Sequence, residues 1–131
     1  MILLDTHVWI WLLSNPEFLS AKAAEKIQTA MGDNDVSVSS ISVWEIAMLV
    51  KKKRLKLTMS VKEWISISEK LPFLNFLPVD NTIAFQSVNL PVPFHDDPAD
   101  RIIVATSICL GLPLITKDKR ILSYPHVNAV W

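Results

Sequence analysis

Short runs of strand-forming residues alternate with longer segments of helical spacing, and this alternation most limits how the chain can fold. Residues 2–4, 36–39, 76–79 and 114–116 have the length and character of buried strands, and 127–130 is a candidate edge strand. The segments between them carry apolar residues three and four positions apart, which indicates helices. Strands separated by helices of this length predict an α/β fold with a mainly parallel central sheet.

Capping residues mark several of the predicted helix ends. Gly32 closes one helix, and another runs from its cap at Asp97 to Gly111. A third is predicted from about Ser42 into the basic residues 51–54, where cations complement the helix dipole. The remaining helices are predicted over residues 6–13, 60–71 and 82–88.

Length and composition limit the class of protein. A chain of 131 residues has the size of one domain, which we assign to residues 1–131. The only cysteine excludes a disulfide framework and suits a reducing compartment. No apolar run approaches the ~20 residues of a membrane span, and Asp5 and His7 interrupt the first apolar stretch, which argues against a signal peptide. We therefore expect a cytoplasmic protein without a membrane segment.

Charge is balanced in total but segregated along the chain. The chain has thirteen basic and thirteen acidic side chains, so its formal net charge is zero. Residues 1–50 hold six acids and two bases, residues 51–70 hold two acids and seven bases, and residues 71–131 hold five acids and four bases. A zero sum excludes a simple polycation that binds nucleic acid everywhere, but the segregated charge leaves room for a nucleic-acid partner.

Four acids are expected at one edge of the sheet. Asp5 and Asp118 follow strands, and Glu45 and Asp100 are expected in the first turns of helices that start at the same edge. Carboxylates that meet in this way repel one another and cannot all stay ionised without a counter-charge. Mg²⁺ or Mn²⁺ is a suitable partner, because hard divalent cations prefer carboxylate oxygens.

Each acid also has a purely structural explanation. Ser42 and Glu45 have the spacing of a capping box, and Asp97 and Asp100 occupy the cap and third positions of their helix. Asp118 alone is an ordinary turn residue. Asp5 fits this explanation least well, because a carboxylate at the end of an apolar strand needs a partner.

Four segments in order resemble the motifs of the PIN domain, and more narrowly those of VapC-type toxins from bacterial toxin-antitoxin pairs. These segments are Leu3-Leu4-Asp5-Thr6-His7, Ser42-Val43-Trp44-Glu45-Ile46, Asp97 through Thr106, and Leu114-Ile115-Thr116-Lys117-Asp118. The resemblance spans nearly the whole chain. It implies a PIN-like three-layer α/β/α sandwich and an Mg²⁺- or Mn²⁺-dependent ribonuclease, usually an endoribonuclease, that a cognate antitoxin inhibits. It also implies a homodimer.

The resemblance assigns roles to particular residues. The motif acids correspond to Asp5, Glu45, Asp100 and Asp118, which we predict as catalytic residues and metal ligands, with Asp97 as a secondary ligand. Asp5 and Asp100 are expected to ligate the main ion, and Glu45 and Asp118 to complete or orient its water shell. Water activated by the metal would then hydrolyse the RNA phosphodiester.

Basic side chains are candidates for contacts with RNA phosphates. The candidates are Lys51, Lys52, Lys53, Arg54, Arg101, Lys117 and His95. For the stretch 51–54 a solvated helix end is an equally good explanation, and a loop histidine such as His95 is more often simply solvated.

Two other function classes stay open at this stage. A PIN-like fold could act as a non-catalytic module that binds RNA or protein. A receiver-type signalling domain would also have an acidic pocket, but it needs a phosphorylatable Asp after a central strand, where this chain has Val50 to Arg54.

Overall fold

The computed structural model describes all 131 residues, which form five strands and seven α-helices. The strands are β1 (Ile2–Leu4), β2 (Val36–Ser39), β3 (Leu74–Leu77), β4 (Leu114–Ile115) and β5 (Ala129–Val130). The helices are α1 (Thr6–Ser14), α2 (Ala21–Gly32), α3 (Ser40–Lys51), α4 (Val61–Glu69), α5 (Asn81–Val88), α6 (Pro98–Leu110) and α7 (Lys119–Leu122), with a 3₁₀ turn at Pro16–Phe18. No helix is both long and apolar enough to span a membrane.

All five strands are parallel and lie in the order β3-β2-β1-β4-β5. In this register Leu4 of β1 pairs with Val38 of β2 and with Ile115 of β4. The carboxyl ends of the three central strands therefore finish side by side. Whatever follows Leu4, Val38 and Ile115 in sequence is delivered to the same edge of the sheet.

Two apolar cores lie on the two faces of the sheet. Ile2 and Leu4 belong to a core with Trp9 and Ile46, whereas Leu3 between them belongs to a second core with α5 and α6. Successive strand residues point to opposite faces, so β1 alternates between the two cores. This arrangement confirms the predicted three-layer α/β/α sandwich with a parallel sheet.

Helix α3 differs from its prediction at both ends. The hydroxyl of Ser39, not Ser42, caps it by accepting a hydrogen bond from the Ile41 amide at 3.2 Å. Ser42 is instead fully buried in the first turn, which moves Glu45 to the second turn. The helix ends at Lys51 rather than continuing to residue 54, because Lys53 takes a left-handed conformation with φ of 58°.

Helix α6 follows its local signals closely. The Asp97 carboxylate accepts from the Asp100 amide at 2.9 Å, Pro98 is the first helical residue, and Gly111 ends the helix with φ of 66°. A left-handed ending favours glycine, which has no Cβ to clash. Gly32 also ends its helix as predicted, although there the left-handed residue is Asn34.

Candidate functional site

An open acidic cleft lies at the carboxyl edge of the sheet. Its volume is about 480 Å³. The cleft is surrounded by residues that follow β1 and β4, by side chains from α1 and α3, and by the first turns of α6 and α7. The lining residues are Asp5, His7, Val8, Trp11, Glu45, Asp97, Asp100, Lys117, Asp118 and Arg120. All four acids from the sequence analysis, together with Asp97, therefore lie around one cleft.

Three of these acids form a tight cluster. One carboxylate oxygen each from Glu45, Asp97 and Asp100 lies within 4.8 Å of the other two. Asp97 and Asp100 are brought together by the α6 cap, and Glu45 reaches them from α3. Asp97, predicted from sequence as a secondary ligand, is thus one of the three clustered carboxylates.

Glu45 has the least satisfied carboxylate in the cleft. Its Oε1 atom is buried and has no hydrogen-bond partner. The nearby Thr6 hydroxyl bonds to the Ser42 hydroxyl at 2.8 Å. Burial raises the pKa of Glu45 to about 7; the Thr6 hydroxyl opposes this rise, and the Asp5 and Asp100 carboxylates add to it. A buried acceptor without a donor is costly, so the site is built for a cation or a proton at this atom.

Asp100 is buried and is held from two sides. Its Oδ2 atom lies 2.7 Å from His95 Nε2 and 3.6 Å from Arg120 Nη2. Burial raises the pKa of Asp100, and the hydrogen bond from His95 opposes that change. The position of the carboxylate is therefore fixed before any ligand arrives.

Asp5 lines the cleft with both of its oxygens already in use. Oδ1 accepts from the Thr6 amide at 2.8 Å, and Oδ2 accepts from the Thr116 hydroxyl at 2.7 Å. Burial raises the pKa of Asp5, and these two hydrogen bonds oppose the rise. Each carboxylate oxygen can accept a second interaction, so Asp5 keeps the capacity to face a cation.

Thr116 joins two of the site segments, and its removal should cost stability. Its hydroxyl donates to Asp5 and accepts from the Asp118 amide at 3.0 Å. Changing Thr116 to Val should lower the free energy of unfolding by about 1 kcal/mol, because both bonds are lost in a buried place. Urea unfolding measures this, with the exposed Thr82→Val as control. Equal midpoints for the two variants would contradict the structural role of Thr116.

Asp118 is the motif acid that lies nearest to the Arg120 guanidinium, which also reaches Asp100. Its carboxylate caps α7 and contacts Arg120 through Oδ1 to Nε at 3.3 Å and Oδ2 to Nη2 at 3.1 Å. Although partial burial opposes the change, the hydrogen bonds from Arg120 lower the pKa of Asp118. Asp118 therefore stays ionised and lies at the margin of the cluster.

The predicted RNA contacts fall into different places. Lys117 lines the cleft, and its ammonium group lies 5.8 Å from the Trp11 ring centroid. Arg101 instead donates to the carbonyl oxygens of Ser87 and Phe94 at 2.8 and 2.9 Å. Its donors bind the backbone, which favours a structural role over the RNA contact predicted from sequence. The exposed residues 51–54 do not line the cleft.

The sequence did not reveal the Thr6 and Thr116 hydroxyls as part of the cleft. Thr6 follows Asp5 directly and Thr116 lies two residues before Asp118, and this proximity is the only signal that could have pointed to them. Ser42 was read as a helix cap, but its hydroxyl bonds to Thr6 across the sheet edge. Trp11 lines the cleft, a position that helical spacing alone did not distinguish from core packing.

Comparison with known proteins gives consistent matches over the full chain. The family model described as PIN domain matches residues 2–127. Ribonuclease VapC22 of Mycobacterium tuberculosis is 36% identical over 130 residues, which cover 98% of this chain and 95% of that protein.

Solved structures share the fold. VapBC2 from Rickettsia felis bound to a promoter DNA fragment matches with a TM-score of 0.73 at 16% identity, covering 99% of this chain and 98% of that one. A toxin-antitoxin complex from Klebsiella pneumoniae matches with a TM-score of 0.65 at 24% identity, covering 100% and 97%.

Proposed function

Because this chain belongs to the PIN-domain family, we propose that it is a metal-dependent ribonuclease that cuts RNA internally and acts as the toxin of a toxin-antitoxin pair. A relative of 36% identity over nearly the whole chain bears the name of a ribonuclease. The observation that carries the proposal is the carboxylate cluster of Glu45, Asp97 and Asp100 in an open cleft.

The donor set fits a hard divalent cation, and we propose Mg²⁺ or Mn²⁺. The three clustered side chains offer only carboxylate oxygens, and one of these, Oε1 of Glu45, is buried without a partner. Such oxygens suit Mg²⁺ and Mn²⁺. Glu45, Asp97 and Asp100 would hold the ion, with Asp5 beside them and Asp118 at the margin. The bound ion supplies charge neutralisation for a phosphate and an acidified water.

The chain's own residues orient the reaction. His95 and Arg120 hold the Asp100 carboxylate, and Thr116 holds that of Asp5. Lys117 and Arg120 bring positive charge to the cleft margin, where RNA phosphates would approach. Lys51–Arg54 remain proposed contacts for more distant phosphates. Lys51 is six residues beyond Glu45 on α3, about 9 Å along the helix axis.

We also propose an antitoxin partner, a homodimer and a cytoplasmic location. Structures with this fold come from complexes described as toxin-antitoxin and VapBC. Large apolar side chains are exposed on two helices, with Trp44 on α3, and Phe85 and Val88 on α5. Apolar surface of this kind suits contacts between protein chains. A single unpaired cysteine, Cys109, suits a reducing compartment.

Cleavage of RNA by the purified protein tests the proposal. A panel of structured and single-stranded RNAs should be cut within the chain in Mg²⁺ or Mn²⁺, and not in EDTA. Asp100→Asn should abolish cutting, whereas Asp33→Asn, at the opposite edge of the sheet, should not. Tight RNA binding without cleavage in either metal would instead establish a non-catalytic binding module and overturn the proposed reaction.

A further inference from the structure

A second cavity adjoins the acidic cleft and shares Arg120 with it. Its volume is about 280 Å³, and its walls include Pro93, Phe94, His95 and Tyr124. We propose that this cavity binds one base of the RNA, next to the phosphate that is cut. The inference rests on the proposed function, and it adds a subsite where a base of the substrate is held.

The walls of this cavity, which we call the aromatic cavity, have the chemistry of a stacking site. The rings of Phe94 and His95 lie 4.2 Å apart between centroids, and those of Phe94 and Tyr124 lie 4.9 Å apart. Phe94 and His95 are half-buried, so each keeps part of its ring surface open. Proteins bind single-stranded RNA by stacking unpaired bases on aromatic rings and guanidinium planes.

The loop that carries Phe94 and His95 is fixed on both sides. The Tyr124 hydroxyl donates to the carbonyl oxygen of Pro91. The Arg101 guanidinium donates to the carbonyl oxygens of Phe94 and His95 at 2.9 and 3.3 Å. The cavity is therefore shaped before a ligand arrives, which lowers the ordering cost of binding.

The same loop stores backbone strain at the rim of the cavity. Val92 has φ of 51°, a left-handed conformation that a β-branched residue rarely takes. Val92 is 55% exposed, so little apolar burial offsets the strain. Strained conformations of this kind concentrate where a segment is held in place for binding or catalysis.

Arg120 connects the aromatic cavity to the reaction site. Its Nη2 atom lies 3.1 Å from Asp118 and 3.6 Å from Asp100, and its side chain also lines the aromatic cavity. A guanidinium in this position can bind a phosphate oxygen while the attached nucleoside enters the cavity. His95 makes a second connection, because its Nε2 contacts Asp100 while its ring forms the cavity wall.

Size and charge favour a nucleobase as the occupant. The cavity is slightly smaller than the usual range for drug-sized ligands, which suits one planar group. Its walls are formed mainly by aromatic rings and prolines, and Arg120 supplies a cation only at the border with the cleft. A planar base linked to an anionic phosphate matches this division between apolar wall and charged border.

Abasic RNAs test the assignment on the full chain. Labelled single-stranded hexanucleotide RNAs, each lacking one base, are titrated in Ca²⁺ by fluorescence anisotropy, and cleavage is measured separately in Mg²⁺. For the parent protein, one abasic position should weaken binding about tenfold relative to the intact RNA. For Phe94→Leu, intact RNA should bind about tenfold more weakly, and that abasic position should cost nothing further.

Two further variants keep the test decisive. Phe73→Leu removes a half-buried aromatic ring directly before β3, at the edge of the sheet opposite the cleft, and should bind RNA like the parent. Ser123→Leu fills the aromatic cavity from its exposed rim and should reproduce the effect of Phe94→Leu even if the latter misfolds.

The outcomes separate the subsite from the proposed reaction. Cleavage that persists with no link between the abasic position and Phe94 overturns the subsite and leaves the ribonuclease. A clear link in binding without any cleavage supports the subsite and refutes the ribonuclease, and a parent that binds no RNA overturns both. If Phe94→Leu affects only binding of an antitoxin, the cavity is a protein contact and the subsite is overturned.

Discussion

Replacing Glu45 with glutamine should slow RNA cleavage by about 100-fold or more while stabilising the metal-free protein above pH 7. Mutation of residues that merely support metal ligands costs 10–100-fold, so loss of a ligand should cost at least the upper end of that range. The ionised Glu45 carboxylate is partly buried beside Asp5 and Asp100, and its Oε1 has no donor. A neutral amide removes this repulsion, so we expect up to about 2 kcal/mol of added stability above pH 7.

Single-turnover cleavage in Mg²⁺ and urea unfolding in EDTA at pH 8 measure the two effects on the same preparation. Glu25→Gln, on the exposed face of α2, is the matched control and should change neither. If Glu45→Gln cuts RNA at the parent rate, Glu45 is not part of the catalytic site. Lower stability at pH 8 would show instead that the carboxylate has a structural partner.

The segments that could be predicted from sequence are those fixed by local chemistry. A short apolar run that ends in Asp5 predicts a buried strand, and the structure has β1 there. Asp97, Pro98 and Gly111 define the two ends of α6 because a cap, a fixed φ and a left-handed ending act over one turn. The parallel order of strands and helices then brings the acids to one edge.

Features that depend on contacts across the fold could not be predicted in this way. Ser42 has the spacing of a cap, but Ser39 fills that role because Ser42 is buried against Thr6 from a different strand end. Which acids lie closest together could also be seen only in the folded structure. Arg120 pairs with Asp118, whereas Asp97 lies beside Glu45 in space although 52 positions separate them in the sequence.

Arg101 and His95 illustrate the same limit for charged side chains. Both adjoin the acidic motif in sequence, and both were predicted to contact RNA. In the fold, Arg101 turns away to bind backbone carbonyls, while His95 turns toward Asp100. Sequence position fixes which segment carries a charge, and the packing of the 89–96 loop decides where that charge points.

In metal-free protein, stability should fall as the pH rises from about 4.5 to about 7. The pKa of Glu45 rises from its ordinary value of 4.5 to about 7 in the fold, so the folded protein holds a proton there that the unfolded chain has already lost. Stability falls with pH wherever the folded state binds more protons. Burial raises the pKa of Asp5 and Asp100 as well, which adds to the fall with the same sign.

Between pH 4.5 and about 7, the free energy of unfolding of the metal-free protein should fall by about 2 kcal/mol. A rise from 4.5 to about 7 corresponds to about 3 kcal/mol for a fully shielded group, and Glu45 is open enough to solvent that screening reduces this figure. Asp118 does not oppose the trend in this range, because its pKa is lowered and its contribution falls at more acidic pH.

Urea unfolding in EDTA at several pH values between 4.5 and 8 measures the slope. Saturating Mg²⁺ should flatten it, because a cation that binds the ionised carboxylates stabilises the fold most where those groups are charged. Glu45→Gln should remove most of the slope without any metal. A flat slope in EDTA would show that the carboxylates do not disfavour one another's ionisation. A slope equally steep with Mg²⁺ would show that the cleft does not bind the cation.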